Sequence, residues 1–171
     1  LYGFLIIDAD AISKEILSQN SEFVKNSFGL EYLNSDGSID RKKLGSLVFS
    51  DLEARKKLEN FLHPLIKEEI IKRAKICENA KKPYLIDIPL FFETKNYDIA
   101  KSIVVYATPE LQLSRVIQRD GLSDIEAQNR IKSQMNIDDK KALATFVIDN
   151  TKDLKHLQKE VERVINDITK I

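Results

Sequence analysis

The amino-acid sequence predicts an α/β fold, a parallel sheet with helices on both faces. Four short apolar runs have the length of strands, at residues 4–8, 84–88, 102–107 and 145–149. Their apolar residues are continuous rather than alternating, which is typical of strands buried on both faces of a parallel sheet. Helical patterns separate the four runs, and strands that alternate with helices favour a parallel arrangement.

The composition indicates a folded domain without a strong electrostatic preference for any partner. Of the 171 residues, 43% are hydrophobic and 32% are charged, which is enough for a core and a solvated surface. The 27 basic residues balance 27 acidic ones, so net charge favours neither nucleic acid nor an anionic membrane. The single cysteine, Cys77, favours a reducing, cytoplasmic compartment. We therefore expect small-molecule substrates, no nucleic-acid or membrane partner, and a monomer or weak homo-oligomer.

The region after the first strand predicts an inserted helical lobe. Residues 11–82 contain helical patterns and no strand run, and this length is far beyond an ordinary crossover. Asp40 is expected to cap one helix, and Ser50 with Glu53 matches the capping box of another. The dipeptide His-Pro at 63–64 is expected to interrupt the longest helix, because proline disfavours helix at the residue before it.

The second half of the chain has clear helix starts. Thr108 followed by Pro109 is a cap with proline at the first helical position, and Ser123 with Glu126 is a second capping box. We expect the helices of about 111–143 to form a lid. The last helix carries an apolar stripe that we assign to the core, namely Leu154, Leu157, Val161, Val164, Ile165 and Ile168. One domain then consists of the lobe, the lid and a core of residues 1–10, 83–110 and 144–171.

Polar groups follow each predicted strand, where an open α/β sheet binds its ligands. An isolated Asp at a strand end is more often a helix cap, but groups from several strands at one edge favour a site. The acidic and amide residues at these ends are Asp8, Asp10, Asp87, Glu93, Asp149 and Asn150.

A basic cluster lies in the region of the predicted lid. Arg115 and Arg119 are four residues apart on one helix face, and Arg130 and Lys132 follow in the next helix. A solvated helix face is the alternative interpretation, but paired guanidinium groups also suit a polyphosphate. Together with the carboxylates they suit phosphoryl transfer, in which Asp10 orients the attacking hydroxyl and the arginines neutralise phosphate charge.

Six segments in the same order resemble the dephospho-CoA kinase family, and they span nearly the whole chain. They read IIDADAISKEIL, DGSIDRKKLGSLVF, LENFLHPLI, IDIPLFFE, PELQLSRVIQRDGLSDIEAQNRIKSQ and FVIDNTKDL. The resemblance implies a P-loop NTPase fold of the nucleoside-monophosphate-kinase type. It also implies the use of ATP and Mg²⁺ to phosphorylate the ribose 3′-hydroxyl of dephospho-CoA, the last step of coenzyme A biosynthesis.

The resemblance assigns roles to individual residues. It implies that Asp10 is catalytic, accepting or orienting the 3′-hydroxyl proton, and that Asp8 supports it. Arg41 and His63 fall in the lobe that holds the acceptor.

Further roles concern the ATP side of the reaction. Arg115 and Arg119 match the lid arginines near the phosphates, and Asn150 matches the loop beside the adenine.

The segment DIPLFFE, residues 87–93, is implied to line the acceptor side. Leu90 and Phe91 or Phe92 would supply apolar walls, although packing at a hinge is an equally good interpretation. Glu93 would hydrogen-bond a sugar or amide group. No residue is a certain metal ligand, but Asp87 is a candidate to act through magnesium-bound water.

One family feature does not occur in these residues. The phosphate loop G-x-x-x-x-G-K-[ST] is not found, although its N–H groups and lysine hold the phosphates. We expect this loop upstream of residue 1, with its strand in the sheet centre, and no catalysis without it. Lys14 stands where the family often has arginine, which keeps the charge but not the bidentate geometry.

Two other functions remain open from the sequence. The first is a nucleotide monophosphate kinase with a different acceptor, against which the long lobe and the DAD motif argue. The second is a non-catalytic CoA-binding module without the phosphate loop, against which the acidic and arginine clusters argue weakly.

Overall fold

The four predicted strands are present in the computed structural model, which describes residues 2–94 and 96–170. Each observed strand lies within the predicted run and is one or two residues shorter. The strands are β1 (Leu5–Asp8), β2 (Tyr84–Asp87), β3 (Ile103–Tyr106) and β4 (Phe146–Asp149). The chain divides into two compact units, Leu1–Pro89 and Leu90–Ile171. The first unit contains β1 and β2, and the second contains β3 and β4.

The strands pair in parallel, as the helical crossovers predict. Among the described residues β1 pairs with β2, with Leu5 opposite Tyr84 and Asp8 opposite Asp87. In the second unit β3 pairs with β4, and the register runs from Ile103 opposite Phe146 to Tyr106 opposite Asp149. The α/β class with parallel strands is confirmed.

Burial of the strands differs from the prediction, because the continuous apolar runs are not buried on both faces. In β1 Ile7 is buried, whereas its neighbour Ile6 points to the other face and is 62% exposed. In β3 Val104 is buried and Val105 is exposed. An apolar run cannot report which face is covered, since that depends on where distant helices pack.

The first unit is largely helical between its two strands. Its core in the lobe is formed by Val24, Ile39 and Leu44, with the stacked rings of Phe23 and Phe61 nearby. The helices are α1 (Ala9–Gln19), α2 (Ser21–Phe28), a 3₁₀ turn at Leu30–Tyr32, α3 (Arg41–Ser50) and α4 (Leu52–Asn79).

Two predicted helix starts in this unit have different outcomes. Asp40 caps α3 as predicted, since its carboxylate accepts from the N–H groups of the second and third helical residues. The capping box of Ser50 and Glu53 is wrong, because Asp51 caps α4 instead. The Ser50 hydroxyl donates to carbonyls of the preceding turn of α3, so it ends one helix rather than beginning the next.

The predicted break at 63–64 is also wrong, since α4 is one continuous helix of 28 residues that contains Pro64. A proline in a helix interior costs about 3 kcal/mol. Leu62, Ile66 and Ile70 are all buried on one face of α4, and burial of each such side chain is worth roughly 1.5–3 kcal/mol. Packing of that face therefore outweighs the local cost of the proline.

The second unit contains the remaining helices. Thr108 and the capping box of Ser123 and Glu126 begin their helices as predicted. On the last helix Val164 is fully buried but Leu154 is 82% exposed, because Leu154 is the first helical residue and extends past the core. These helices are α5 (Phe91–Thr94), α6 (Pro109–Asp120), α7 (Asp124–Lys132), α8 (Ile137–Leu143) and α9 (Leu154–Ile168).

Within the described residues, no helix has both the length and the apolar character that are needed to cross a membrane.

Candidate functional site

Asp8 ends β1 and caps α1. Its extended backbone lets the carboxylate turn back onto the helix, where Oδ1 accepts from the N–H of Ala11 at 2.9 Å. Asp87 is its register partner at the end of β2, and neighbouring strands are about 4.8 Å apart. Two carboxylate residues therefore lie side by side at the carboxyl edge of the first sheet.

Asp10 lies in the first turn of α1, directly beyond that edge. Its side chain is exposed, and within residues 2–94 and 96–170 no hydrogen bond or ion pair engages it. Ala9 and Ile12 are buried on the opposite side of the turn and hold the helix in place. The amino-terminal end of a helix also favours a negative charge. Asp10 is thus a rigidly placed carboxylate with free hydrogen-bonding capacity.

Arg41 and His63 both lie on helices of the lobe. Arg41 begins α3, and its Nη2 donates to the carbonyl of Lys14 in α1 at 3.0 Å. This bond uses one of the five guanidinium N–H donors and links α3 to α1. His63 is exposed on α4, and its imidazole has no hydrogen-bond partner in the described chain.

The segment after β2 forms a turn and the one-turn helix α5. Leu90 is exposed, whereas Phe91 and Phe92 are half-buried and contact each other edge to face, with ring centroids 5.1 Å apart. Asp87, before the turn, is exposed. The segment therefore offers a carboxylate in the first unit and an apolar surface in the second.

Glu93 has protein partners of its own. Its Oε1 accepts from Lys140 Nζ at 2.7 Å and from the Met135 N–H at 2.9 Å. Its Oε2 is buried and has no hydrogen-bond partner among the described residues. Burial acts to raise the pKa of this carboxyl, but the bonds from Lys140 and Met135 outweigh it, so the pKa lies below its ordinary value. Glu93 is therefore an ionised, internally bonded carboxylate.

Arg115 and Asn150, both predicted to face ATP, are in contact. Arg115 Nη1 donates to the Asn150 carbonyl at 2.9 Å, and the Asn150 N–H donates to the carbonyl of Tyr106 at 2.8 Å. These bonds join α6 to the carboxyl ends of β3 and β4. The edge of the second sheet is thus stabilised by the residues that are predicted to bind nucleotide.

Arg119 has a different environment from Arg115, although both belong to one helix face. Its side chain is 67% exposed and forms two bonds to the neighbouring Asp120, at 2.7 and 2.9 Å. Arg130 donates to the same carboxylate at 3.0 Å. These bonds, Arg119 first, hold the pKa of Asp120 below its ordinary value. Asp120 therefore brings two exposed guanidinium groups together.

Asp149 was named in the sequence analysis, but its partner His156 was missed there, and so was Lys140. Asp149 accepts from the Thr151 N–H at 2.9 Å and lies 3.3 Å from His156 Nε2, which lowers its pKa, the Thr151 bonds contributing most. Lys140 was not selected from the sequence, where it lies in a short run of charged residues. The available signal was its spacing, three residues after Ile137 and four before Ala144, which places it on the packed side of α8.

Within the described residues no preformed metal cluster marks the predicted site, and one groove of the lobe lies apart from it. In the described residues no three His, Cys, Asp or Glu side chains are arranged to hold a metal ion. A groove of about 570 Å³ lies in the lobe, lined by Phe28, Tyr32, Leu47 and Lys57 among others. Its lining contains none of the predicted site residues.

Comparisons with known proteins agree with one another. The chain matches the family model CoaE, dephospho-CoA kinase, over residues 1–156. It is 54% identical to the dephospho-CoA kinase of Sulfurimonas denitrificans over 169 residues, which cover 98% of this chain and 84% of that protein. The dephospho-CoA kinase of Helicobacter pylori is 41% identical, with coverages of 97% and 86%.

Solved structures are similar over the same extent. A dephospho-CoA kinase from Campylobacter jejuni has a TM-score of 0.76 and 40% identity, and the match covers 98% of this chain and 86% of that one. The crystal structure of TT1252 from Thermus thermophilus has a TM-score of 0.80 and 31% identity, with coverages of 97% and 85%.

Proposed function

Because the chain belongs to the dephospho-CoA kinase family, we propose that it transfers the terminal phosphoryl group of ATP to the ribose 3′-hydroxyl of dephospho-CoA. The family and its phosphotransferase activity, predicted from six sequence segments, are confirmed by these comparisons. The proposal adds the residues that bind the substrates and assist the transfer. Its main support is Asp10, an exposed and unengaged carboxylate on a rigid turn at a strand edge.

Asp10 orients the attacking hydroxyl. Phosphoryl transfer needs positioning and charge stabilisation more than covalent help, and a carboxylate that accepts the hydroxyl proton fixes the direction of attack. Asp10 suits this role because no protein group competes for its oxygens within the described residues. Asp8 supports it indirectly, since its capping bond to Ala11 holds the turn that carries Asp10.

The lobe of residues 11–82 binds the acceptor. Arg41 keeps donors available for a phosphate beyond its bond to Lys14, and His63 offers an exposed imidazole. Leu90 and Phe91 present apolar surface for the uncharged part of the acceptor.

The helices of residues 111–143 act as a lid on the ATP side. Arg115 and Asn150 shape the loop at the end of β4 through their 2.9 Å bond. Arg119 is exposed and available, because a phosphate can replace Asp120 as its partner. Its guanidinium then neutralises charge that develops on the transferring group.

Magnesium fits the residues present. Mg²⁺ in kinases is held by one or two carboxylates, water and the substrate phosphates rather than by a protein cage, so a three-residue cluster is not required. Asp87 provides an exposed carboxylate beside Asp8 and would hold the ion through water. The ion supplies neutralisation of the phosphate charge.

The compartment and assembly state are part of the proposal. Cys77 is buried and free, which suits a reducing compartment such as the cytoplasm. A monomer or weak homo-oligomer remains our prediction.

The test is an acceptor assay on the protein expressed from its gene. We expect ATP consumption with dephospho-CoA and formation of coenzyme A by mass spectrometry, but little turnover with AMP, CMP or UMP. Asp10→Asn should lower kcat by about 100-fold or more, as loss of an acid–base group does, and change KM little. Asp139→Asn, also in the first turn of a helix, is the matched control. Unchanged kcat in Asp10→Asn would remove Asp10 from this role.

A further inference from the structure

Lys140 combines charge and burial in an unusual way. Its side chain is 11% exposed, and among the described residues it is the one charged residue classed as buried. Removing a charge from water costs several kcal/mol unless a partner compensates it. Glu93 is that partner, at 2.7 Å, and its own side chain is 21% exposed.

The geometry of this pair is not the best one for stability. Both donors, Lys140 Nζ and the Met135 N–H, converge on Oε1 of Glu93. Oε2 is buried without a partner in the described part of the chain, and an unsatisfied buried acceptor is itself destabilising. Well-packed apolar residues often replace such a pair without loss of stability. Stability alone therefore does not account for this pair.

The helix that Glu93 belongs to cannot hold its own position. With four residues α5 is a single turn, and forming a first turn is unfavourable in isolation. Its internal bonds join Thr94 to the Leu90 carbonyl. Among the described residues, the hydrogen bonds that reach α5 from other segments are those of Lys140 and Met135 to Glu93. The placement of Leu90 and Phe91 thus depends on Glu93.

We propose that Lys140 is a positioning residue for the acceptor, which acts through Glu93 to fix α5 and, with it, the apolar residues Phe91 and the preceding Leu90. This inference rests on the proposed function, in which these two residues face the acceptor. Lys140 does not touch substrate. Its effect is expected on dephospho-CoA, which Leu90 and Phe91 are proposed to contact, and not on ATP.

The test compares substitutions of Lys140 in the protein expressed from its gene. Lys140→Met keeps length and removes charge, and we expect the KM for dephospho-CoA to rise about tenfold, equivalent to roughly 1.4 kcal/mol. The KM for ATP should change less than about twofold. Lys140→Arg keeps a donor and should restore most of the acceptor affinity. Lys159→Met, on an exposed position of α9, is the matched control.

A second pair of variants covers the case in which Lys140→Met folds poorly. Glu93→Gln keeps the shape of the side chain, and it should produce the same selective rise in KM for dephospho-CoA. Because both residues act through one contact, the double variant with Glu93→Gln and Lys140→Met should raise the KM for dephospho-CoA no more than the more damaging single variant does. Calorimetric binding of dephospho-CoA without ATP checks that KM reports affinity.

Several results would overturn this inference. They are an equal rise in both KM values, a fall in melting temperature without a change in KM, or an arginine variant as impaired as the methionine one. None of these would affect the proposed function, which instead fails if the unmodified protein does not phosphorylate dephospho-CoA.

Discussion

The substitution of Asp8 separates its capping role from its charge. Asp8→Ala removes the 2.9 Å bond to the Ala11 N–H and leaves that donor without its side-chain acceptor. Asp8→Asn keeps an oxygen in the same place, since Asn and Asp are similarly good helix caps. If Asp8 supports Asp10 through the cap, the two variants must differ in both stability and turnover.

The magnitude follows from the exposed position of this bond. Loss of a helix cap costs 0.5–2 kcal/mol, typically about 1 kcal/mol, and the exposed surroundings of Asp8 argue against the upper end. For a chain of this size about 1 kcal/mol lowers the melting temperature by roughly 2–4 °C. Asp8→Asn loses only the interaction of its charge with the helix dipole, about 0.3–1 kcal/mol.

The assay pairs urea unfolding, monitored by circular dichroism, with steady-state turnover. We expect Asp8→Ala to lower the free energy of unfolding by about 1 kcal/mol and to lower kcat, because the first turn of α1 carries Asp10. Asp8→Asn should retain most of both quantities. Asp153→Ala, which removes the cap of α9, is the control for loss of a cap in another helix.

Two outcomes would refute this reasoning. If Asp8→Asn were as unstable as Asp8→Ala, the carboxylate charge rather than the capping bond would be the stabilising feature. If Asp8→Asn were fully stable but lost turnover, Asp8 would act on the substrate directly and not through α1.

Three further predictions concern stability, pH and nucleotide binding. Ile12→Ala should lower the free energy of unfolding by about 2–5 kcal/mol, because Ile12 is fully buried. Urea unfolding measures this loss, and Ile76→Ala, at an exposed position, is the control. The pKa of Glu93 in the folded state lies below its ordinary value of 4.5, so the folded state binds fewer protons there and the free energy of unfolding falls as pH decreases below about 5. In Glu93→Gln the free energy of unfolding should fall less between about pH 5 and 3, and an unchanged dependence on pH would contradict this. Arg115→Lys should weaken ATP binding several-fold with a smaller effect on dephospho-CoA binding, because lysine lacks the planar fork that reaches the Asn150 carbonyl. Calorimetry measures the affinity for each ligand, and an equal loss of affinity for both would contradict this.

Local signals predicted the elements of this fold well. The four strands appear within the predicted runs, and the caps at Asp40, Thr108 and Ser123 begin their helices as expected. These features depend on residues within a few positions of one another, such as a hydroxyl and an N–H three residues later. Sequence contains that information directly.

The predictions that failed depend on distant contacts. Pro64 was expected to end a helix, but buried residues on both sides of it hold α4 together. Ser50 was expected to begin a helix, but the preceding helix extends to it and uses its hydroxyl. Ile6 was expected to be buried, but the face to which it points is exposed. In each case a local preference competes with packing that the local sequence does not contain.

The candidate site shows the same division. Motif order was enough to identify the family and to single out Asp10, Arg115 and Asn150, and the structure adds that Arg115 and Asn150 are in contact. Glu93 was also selected, but its partners were not. Lys140 is 47 positions away along the chain, in a run of charged residues that has the composition of a solvated face.

The sequence by itself determined which chemical groups end each strand, because those groups follow directly from the apolar runs that form the strands. It also determined the start of the helix that carries Arg115, at Thr108 and Pro109. Only the tertiary structure decided which of those groups are available and which are already bonded. Asp10 is exposed and unengaged within the described residues, whereas Glu93 is bonded to a buried lysine. The physical reason is that availability depends on burial and on partners, and both are set by the packing of residues far apart in the chain.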